Sequence, residues 1–466
     1  MKLHGWKRGG PMKKKLQPSE LVHEQFQETE AFLRLARQDL QRHGVRNSEA
    51  IELGLRAALF RDGRRLLEQL YAQSDLCIPN DSTLPGEKRH TQRKLDMHSI
   101  FGVIELFRDY LYCPAQGTGR FPLDDALGLV ESFSPALVRL AARAAAKEGY
   151  QGAAEDLSAA AAITIEGRQI HRLVNQVGPQ VAAALEQGPV AETQAIPIFY
   201  VEVDATGVPM VAEELLERPG KQADGSSKTR EAKLACFFTQ TKPDPETGLP
   251  MRDPDSTTYV GSFENAEAFG QRVRREALRR GSGRALKIVV LGDGAAWIWE
   301  LARVNFPANA TTIWIVDLYH ALERLHTLCQ GLYPQSDHAG RVEADWTDLL
   351  KDDQVQTVIA AAQRRLQELG PQPDDELEKQ IGYFENQKSR MLYKTYRQQG
   401  LFYGSGVVEA GCKAVIGQRL KESGMFWTES GATSVLSLRC ALKGQRWDEV
   451  WDRLHDSNYL KIKVAA

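Results

Sequence analysis

Apolar residues recur at three- and four-residue spacing over the first part of the chain. Leu21, Phe26, Phe32, Leu33, Leu35 and Leu40 keep that rhythm, and so do Ile51, Leu55, Leu59, Leu66, Leu67 and Leu70. Side chains so spaced share one helix face, which predicts helices over 16–73. Between 76 and 122 the rhythm is broken by Pro79, Pro85, Gly86, Pro114, Gly117 and Gly119, with a strand expected near Gly102–Tyr112. Helix returns over 123–180. From 196 the pattern becomes β-branched and aromatic: IPIFYVEVD, VPMVAEE and EAKLACFFTQ predict three strands. An amphipathic helix is expected over 264–282, then two buried strands, LKIVVLGD and TTIWIVD, which run to Asp293 and Asp317. Strands interleaved with helices predict an α/β fold with some parallel pairing. A mostly helical, acidic insertion is expected over 331–400. Helices carrying Glu409, Lys413, Arg419 and Trp427 would close the chain over 404–446.

Within the helical part, GAAEDLSAAAAITIEGRQIHRLVNQVG (152–178) has a helix-turn-helix cadence. Ala154, Leu157 and Ala161 would face inward from a first helix, with Ile163 buried in the turn. A second helix from about Glu166 to Val177 would bury Ile170 and Leu173 or Val174 and expose Arg168, His171, Arg172, Asn175 and Gln176. Those side chains can reach phosphates and base edges in a major groove. An ordinary helical hairpin has the same pattern.

Composition narrows the classes. At 466 residues the chain has room for about three domains at roughly 150 residues each. Hydrophobic residues at 42% and charged residues at 26% exclude a disordered or low-complexity chain. Six cysteines without a CxxC pair exclude a disulfide scaffold and a standard zinc ribbon, and suit a reducing compartment. No apolar run approaches the roughly 18 residues of a membrane span, and the basic N-terminus is not followed by the apolar stretch of a signal peptide. A cytoplasmic protein is the expectation.

The formal net charge of −2 hides a partition. Residues 1–15 carry +6, residues 264–287 and 410–446 carry +4 each, and residues 342–380 carry −6. Separate basic segments on a near-neutral chain suit a polyanion binder that stays soluble. Solvated faces give the same charge runs.

Three acids stand out by position. Asp204 and Asp293 each follow an apolar strand and are followed by glycine-containing turns. Gly207, Gly292 and Gly294 beside them would leave room for a ligand. Glu409 lies about one turn into a helix expected after Gly406, with Ser405 as its N-cap. Hard divalent cations favour such oxygen ligands, and two ions about 3.5–4 Å apart can drive in-line displacement at phosphorus. A lone aspartate in such a place more often caps the next helix. Asp317 and His320, in DLYH, are spaced to share one helix face, either as ligands or as a capped histidine.

At this point VEVDATGVP, LGDGAAWIW, DLYHALERL and GSGVVEAGCKAVIGQRLKESGMFW, followed by LRCALKGQRWDEVW, resemble the insertion-sequence DDE transposases of the ISKra type. More distantly they are similar to the Mutator-like transposases. The resemblance runs from FPLDDALGL (121–129) almost to the end of the chain. It implies a ribonuclease-H-like catalytic core with a helical insertion, preceded by a helix-turn-helix region. The corresponding segments are a basic arm and helices (1–75), a small irregular β subdomain (76–130), the helix-turn-helix domain (131–185), the core (186–330), the insertion (331–400) and the rest of the core (401–466).

The resemblance further implies Asp204, Asp293 and Glu409 as catalytic residues holding two Mg²⁺ or Mn²⁺ ions, with Asp317 and His320 accessory. Its partners would be double-stranded DNA, both terminal inverted repeats and target. Arg168, His171, Arg172, Asn175, Gln176, Lys413, Arg419, Lys421 and Trp427 would contact that DNA. A homodimer or larger assembly, associated with the nucleoid, would hold two ends at once. In one respect the chain departs from the family: Cys113 stands alone in YCPAQGTGRFPLD, and with Cys77, His90 and His98 it follows no recognised zinc spacing. Two alternatives keep the fold and change the function. One is a nuclease that does not join strands; the other is a catalytically silent DNA-binding protein derived from a transposase.

Overall fold

Residues 26–44, 48–72, 83–187, 195–215, 229–334, 337–370 and 375–454 are described by the computed structural model. The basic arm, Leu21 and Cys77 lie outside them. Contacts divide the chain into two units, residues 1–140 with 155–165, and residues 141–154 with 166–466.

In the first unit the N-terminal helical pattern becomes α1 (Gln27–His43) and α2 (Ser48–Ala72). The first turn of a helix leaves N–H groups without intrahelical partners. Here Asp62 of α2 accepts them, from Glu28 at 3.1 Å and Thr29 at 2.9 Å. A three-stranded antiparallel sheet follows, β1 (Lys88–Ser99), β2 (Gly102–Cys113) and β3 (Thr118–Arg120), and then α3 (Pro122–Leu127). Met97, Ile104 and Leu106 form its core, and Leu67 and Tyr71 of α2 pack on it. The helical stretch and the β stretch therefore share one core. The division between units passes through α4 (Pro135–Ala145) and α5 (Tyr150–Ala161).

The second unit opens its described helices with α6 (Gly167–Glu186), whose buried Ile170, Leu173, Val174, Val177 and Val181 form one stripe. Its sheet comprises β4 (Ile196–Pro209), β5 (Thr229–Gln240), β6 (Thr258–Ser262), β7 (Ala285–Gly292) and β8 (Thr312–Val316), in the order β6-β5-β4-β7-β8. β4, β5 and β6 pair antiparallel, while β7 and β8 run parallel to β4. Helix α7 (Ala266–Arg279) connects β6 to β7, and α8 (Ala296–Asn305) connects β7 to β8. This α/β arrangement is a ribonuclease-H-like core. Both faces of the sheet are covered, so five consecutive residues of β4, Phe199 to Val203, are fully buried.

Two sequence expectations change here. The strand that opens at Ile196 does not stop at Asp204, and VPMVAEE is not a separate strand. β5 pairs with β4 all the way from Ile198 to Pro209, so the hairpin carries β4 past the acid. Nor do two of the glycines make room for a ligand. A Cβ on Gly207 would meet Thr229, and one on Gly292 would meet Ile298.

After β8 the chain forms α9 (Leu318–Leu332), α10 (Asp337–Lys351), α11 (Val355–Leu369), α12 (Glu376–Gln387) and α13 (Tyr393–Gln398), the helical part between Asp317 and Glu409. It returns as α14 (Gly406–Gly411), widens into a π-helical stretch over Cys412–Gly417, and ends in α15 (Glu429–Lys443) and α16 (Trp447–Leu454). The buried stripe of α6 packs along α15. Among the described residues no helix is long and apolar enough to cross a membrane.

Candidate active site

Strand register puts three acids in one row. The ladder between β4 and β7 ends at Val203 and Gly292, and that between β7 and β8 at Gly292 and Val316. Asp204, Asp293 and Asp317 are the next residue on each strand. Neighbouring strands lie about 4.8 Å apart, so the three stand side by side past the parallel pairing, where α/β sheets gather ligands. Asp204 and Asp293 are half-buried, and Asp317 is fully buried.

The two half-buried acids are fixed locally. Asp204 Oδ1 accepts the Ala205 N–H at 2.7 Å, and Asp293 Oδ1 accepts that of Ala295 at 2.8 Å. Burial pushes the Asp204 carboxyl up. Hydrogen bonds from the Cys412 thiol and Ala205 oppose this, the Asp293 charge adds to it, and the net shift is upward. The turn after Asp293 is gripped by α12. Tyr383 donates its hydroxyl to the Asp293 carbonyl at 3.0 Å, and Gln387 its amide to that of Gly294 at 2.9 Å. Gly294 has φ +99°, a left-handed backbone that favours glycine, and an added Cβ would lie 2.7 Å from the Tyr383 ring.

Asp317 is a brace. Its Oδ1 accepts the His320 N–H at 2.7 Å and faces His320 Nδ1 at 3.2 Å, while Oδ2 accepts the Ser405 N–H. Burial pushes its carboxyl up, but those hydrogen bonds outweigh it and hold the group below the usual carboxylate range. The bond to Asp317 pushes the half-buried His320 up to about 9, with the charges of Asp317 and Asp293 adding to it.

Glu409 reaches the row from α14. Its Oε1 accepts the Ser405 hydroxyl at 2.7 Å. Ser405 occupies the N-cap position, yet its side chain caps no backbone group, because the hydroxyl is committed to Glu409. The open N–H groups at this helix start go instead to two buried sheet carboxylates, Ser405 to Asp317 and Val408 to Glu202 Oε2 at 2.8 Å. Glu202 is 0% exposed, and its Oε1 has no partner among the described residues. Burial raises its carboxyl to about 8; the Val408 amide pulls it down, and the charges of Asp317 and Glu409 push it up.

Ligand atoms of Asp317, His320 and Glu409 lie within 4.8 Å of one another, a spacing that suits a metal. Both oxygens of Asp317 also accept hydrogen bonds and His320 Nδ1 faces one of them, so the same group braces the start of the helix that carries Glu409. Asp204, Asp293 and Glu409 are the more accessible acids. Burial, with the Asp293 charge adding to it, raises the Asp204 carboxyl, and burial together with the Asp204 and Glu409 charges pushes up the Cys412 thiol. An oxygen-rich, like-charged set of this kind fits a hard divalent cation.

The residues expected on DNA divide into two groups. Arg168, His171, Arg172 and Gln176 are exposed on α6. Half-buried Asn175 meets His171 Nε2 at 3.0 Å, and the His171 ring packs 5.0 Å from Tyr150. Lys413 and Lys421 are exposed beyond Glu409, and Lys421 donates to the Thr206 hydroxyl, two residues past Asp204. Arg419 and Trp427 are not available. Arg419 is 0% exposed, gives Nε–H to the Ala145 carbonyl at 2.8 Å, and lies between the Tyr150 and Trp427 rings. Trp427 is buried and donates to the Leu420 carbonyl at 3.0 Å. Both hold the core together, so neither meets a phosphate or a base.

Sequence reading missed Glu202, Tyr383 and Gln387. Glu202 alone left a signal, a charged residue inside an otherwise apolar strand, on the same face as Asp204 by its spacing of two. Tyr383 and Gln387 look like any polar residues of an amphipathic helix.

No family model matches the chain, and no curated protein matches it. Among solved structures it is similar to the Drosophila P element transposase strand transfer complex, with 10% sequence identity over 72% of this chain and 83% of that chain. The TM-score is 0.27, too low for that likeness to carry weight.

Proposed function

We propose that the chain is a DDE transposase that cuts DNA at the ends of an insertion sequence and joins them to a target. Asp204, Asp293 and Glu409 would hold two Mg²⁺ or Mn²⁺ ions. The observation that carries this reading is the row of acids past three parallel strands, with Glu409 brought to it by α14. Cations bound there would activate the attacking oxygen and stabilise the leaving one.

The chain's own residues do the positioning. Ser405 orients Glu409, while Asp317 and Glu202 fix the helix that carries it. His320, held on Asp317, offsets the negative charge of Asp204 and Asp293. Tyr383 and Gln387 hold the turn behind Asp293. Arg168, His171, Arg172, Asn175 and Gln176 on α6 grip the terminal repeats, and Lys413 and Lys421 hold phosphates beside the cut.

The test is a plasmid nicking and joining assay with Mg²⁺ or Mn²⁺ on DNA carrying the gene's flanking sequences, comparing wild type with Glu409→Gln. Joined products from wild type alone are expected, with end binding retained by the variant. Nicking without joining would reduce the reading to a nuclease. Tight end binding with no cleavage by either protein would leave a DNA-binding protein.

A further inference from the structure

Helix α9 starts at the end of the acid row, with Asp317 as its N-cap. Spacings of three and four put Asp317, His320 and Arg324 on one face of it. His320 is held on Asp317. Arg324, one turn further on, is exposed. Its guanidinium sits 5.4 Å over the ring of Tyr383, whose hydroxyl bonds the Asp293 carbonyl at 3.0 Å. Contact with an aromatic face steadies a guanidinium without using its N–H donors.

The other cations near Tyr383 are committed. Lys379 pairs with Asp375 at 2.7 Å, Arg303 pairs with Glu300 at 2.6 Å, and the Arg390 guanidinium lies over the Trp299 and Trp314 rings. Arg324 pairs with no carboxylate among the described residues, although its charge and those of Asp293 and Asp317 all reach the Tyr383 hydroxyl. Lys421 matches it at the far end of the row. It too is exposed and has no carboxylate partner among the described residues, and it is tethered to the Thr206 hydroxyl, two residues past Asp204. In the sheet order β4-β7-β8, one such cation therefore stands beside Asp204 and the other beyond Asp317.

We propose that Arg324 clamps a backbone phosphate of the cut strand on the side of the scissile bond opposite to the phosphate held by Lys421, so that the strand crosses the acid row along the sheet order. The inference rests on the DNA-cleaving reading and assigns the strand its direction there. Charge supports it. Two divalent cations balance the carboxylates of Asp204, Asp293, Asp317 and Glu409, and His320 balances the phosphate at the cut. The flanking phosphates are left to cations outside the row. A guanidinium meets a phosphate with two parallel N–H···O bonds. The row spans roughly 10 Å at about 4.8 Å per strand. A DNA strand rises about 3.4 Å per nucleotide, which puts both contacts within about three phosphates of the cut.

The test measures DNA affinity of the full chain with Ca²⁺, a hard cation that occupies oxygen ligands, after the cut has been mapped by wild-type nicking with Mg²⁺. The probes are duplexes of the gene's flanking sequence in which single phosphates of the cut strand are replaced, one at a time, by uncharged methylphosphonates. In wild type, one replacement on each side of the cut should weaken binding about threefold. Arg324→Gln should be indifferent to the replacement on one side and Lys421→Gln to that on the other, each still responding elsewhere. Arg324→Gln should also flatten the salt slope by about one, which is roughly threefold less affinity lost between 50 and 200 mM salt. Arg324→Lys should keep that slope with weaker binding, because lysine keeps the charge without the fork. A merely structural Arg324 would lower Tm and weaken every probe alike.

A wild type indifferent to every methylphosphonate within three positions of the cut would overturn the proposal, and this comparison needs no variant to fold. Arg324→Gln with a native thermal transition and the wild-type response to every probe would also overturn it. Indifference of the two variants on the same side of the cut would overturn the strand direction. Loss of the clamp alongside intact Glu409-dependent nicking leaves the transposase reading standing. Coupling of Arg324 and Lys421 to two separate phosphates of one strand, in a wild type that neither nicks nor joins, keeps the strand track and removes that reading instead.

Discussion

Glu202 accepts the backbone N–H of Val408 at 2.8 Å, joining a fully buried position of β4 to the start of α14 across 206 residues of sequence. Glu409 is the next residue. A carboxyl two positions before Asp204 thus fixes the helix that brings Glu409 to Asp317 and His320. Asp317 does the same from β8 through Ser405. The helix start carries partial positive charge, which suits two acceptors with acidic side chains.

Glu202 gives a pH signature. Its carboxyl rises from an ordinary 4.5 to about 8 on folding, so the folded chain keeps a proton that the unfolded chain gives up. Its contribution to stability is therefore full below about 4.5 and is lost as pH rises through about 8. Glu202→Gln removes that dependence. Between pH 5 and pH 8 the Tm of wild type should fall relative to that of the variant. Parallel Tm curves would show that Glu202 does not carry the proton. Glu202→Ala, which orphans the Val408 N–H and leaves a void, should cost about 2–4 kcal/mol at neutral pH by denaturant unfolding.

Ser405→Ala isolates the orientation of Glu409. The hydroxyl bonds Oε1 at 2.7 Å and makes no cap, so its loss frees the carboxylate without unpinning the helix. Groups that orient metal ligands are worth roughly 10–100-fold in metal affinity or activity. The expected outcome is a higher Mn²⁺ concentration for half-maximal nicking, with Tm and DNA affinity close to wild type. An unchanged Mn²⁺ dependence would remove Ser405 from the site.

How much of this was legible depended on whether local pattern decided the matter. Asp293 and Asp317 could be seen because β-branched runs mark buried strands, and the acid that ends such a run stands out. Asp204 was found for a reason that does not hold, since β4 continues beyond it. The register that aligns the three depends on which strands pair, and hydrophobic pattern does not encode that. Glu202 was hidden because its burial comes from helices on both faces of the sheet. Arg419 was misread for the same reason. Its charge suggests solvent, whereas its setting is two aromatic rings and a backbone carbonyl from residue 145. The helix cadence over 152–178 correctly marked Ile163, Ile170 and Leu173 as buried. It could not show that the second helix packs along α15.

Gly294→Ala tests the grip of α12 on the turn after Asp293. The new Cβ would meet the Tyr383 ring at 2.7 Å on a backbone at φ +99°. Both effects destabilise, the left-handed backbone alone by about 1–2 kcal/mol. Nicking should drop sharply, since the Asp293 and Gly294 carbonyls lose their fixed partners. Adding Tyr383→Ala relieves the clash but keeps the backbone strain and removes the bond to the Asp293 carbonyl, so the double variant should stay below wild type in both Tm and activity. Recovery of both would mean that Tyr383 does not position Asp293.

Arg419, Lys421 and Arg172 separate fold from DNA contact. Arg419 is buried and hydrogen-bonded to backbone, so Arg419→Ala orphans the Ala145 carbonyl and should lower stability by about 1–3 kcal/mol for the unpaired group, with lost packing against two rings in addition. Lys421 and Arg172 are exposed, and their alanine variants should leave Tm within a degree or two of wild type. DNA affinity should respond the other way. Each exposed cation that neutralises a phosphate contributes about one unit to the slope of log affinity against log salt. Arg172→Ala and Lys421→Ala should each flatten that slope by about one, and folded Arg419→Ala should leave it unchanged. A flattened slope in Arg419→Ala would return that residue to the DNA interface, and unchanged slopes in the other two would move the interface away from α6 and from the segment around Lys421.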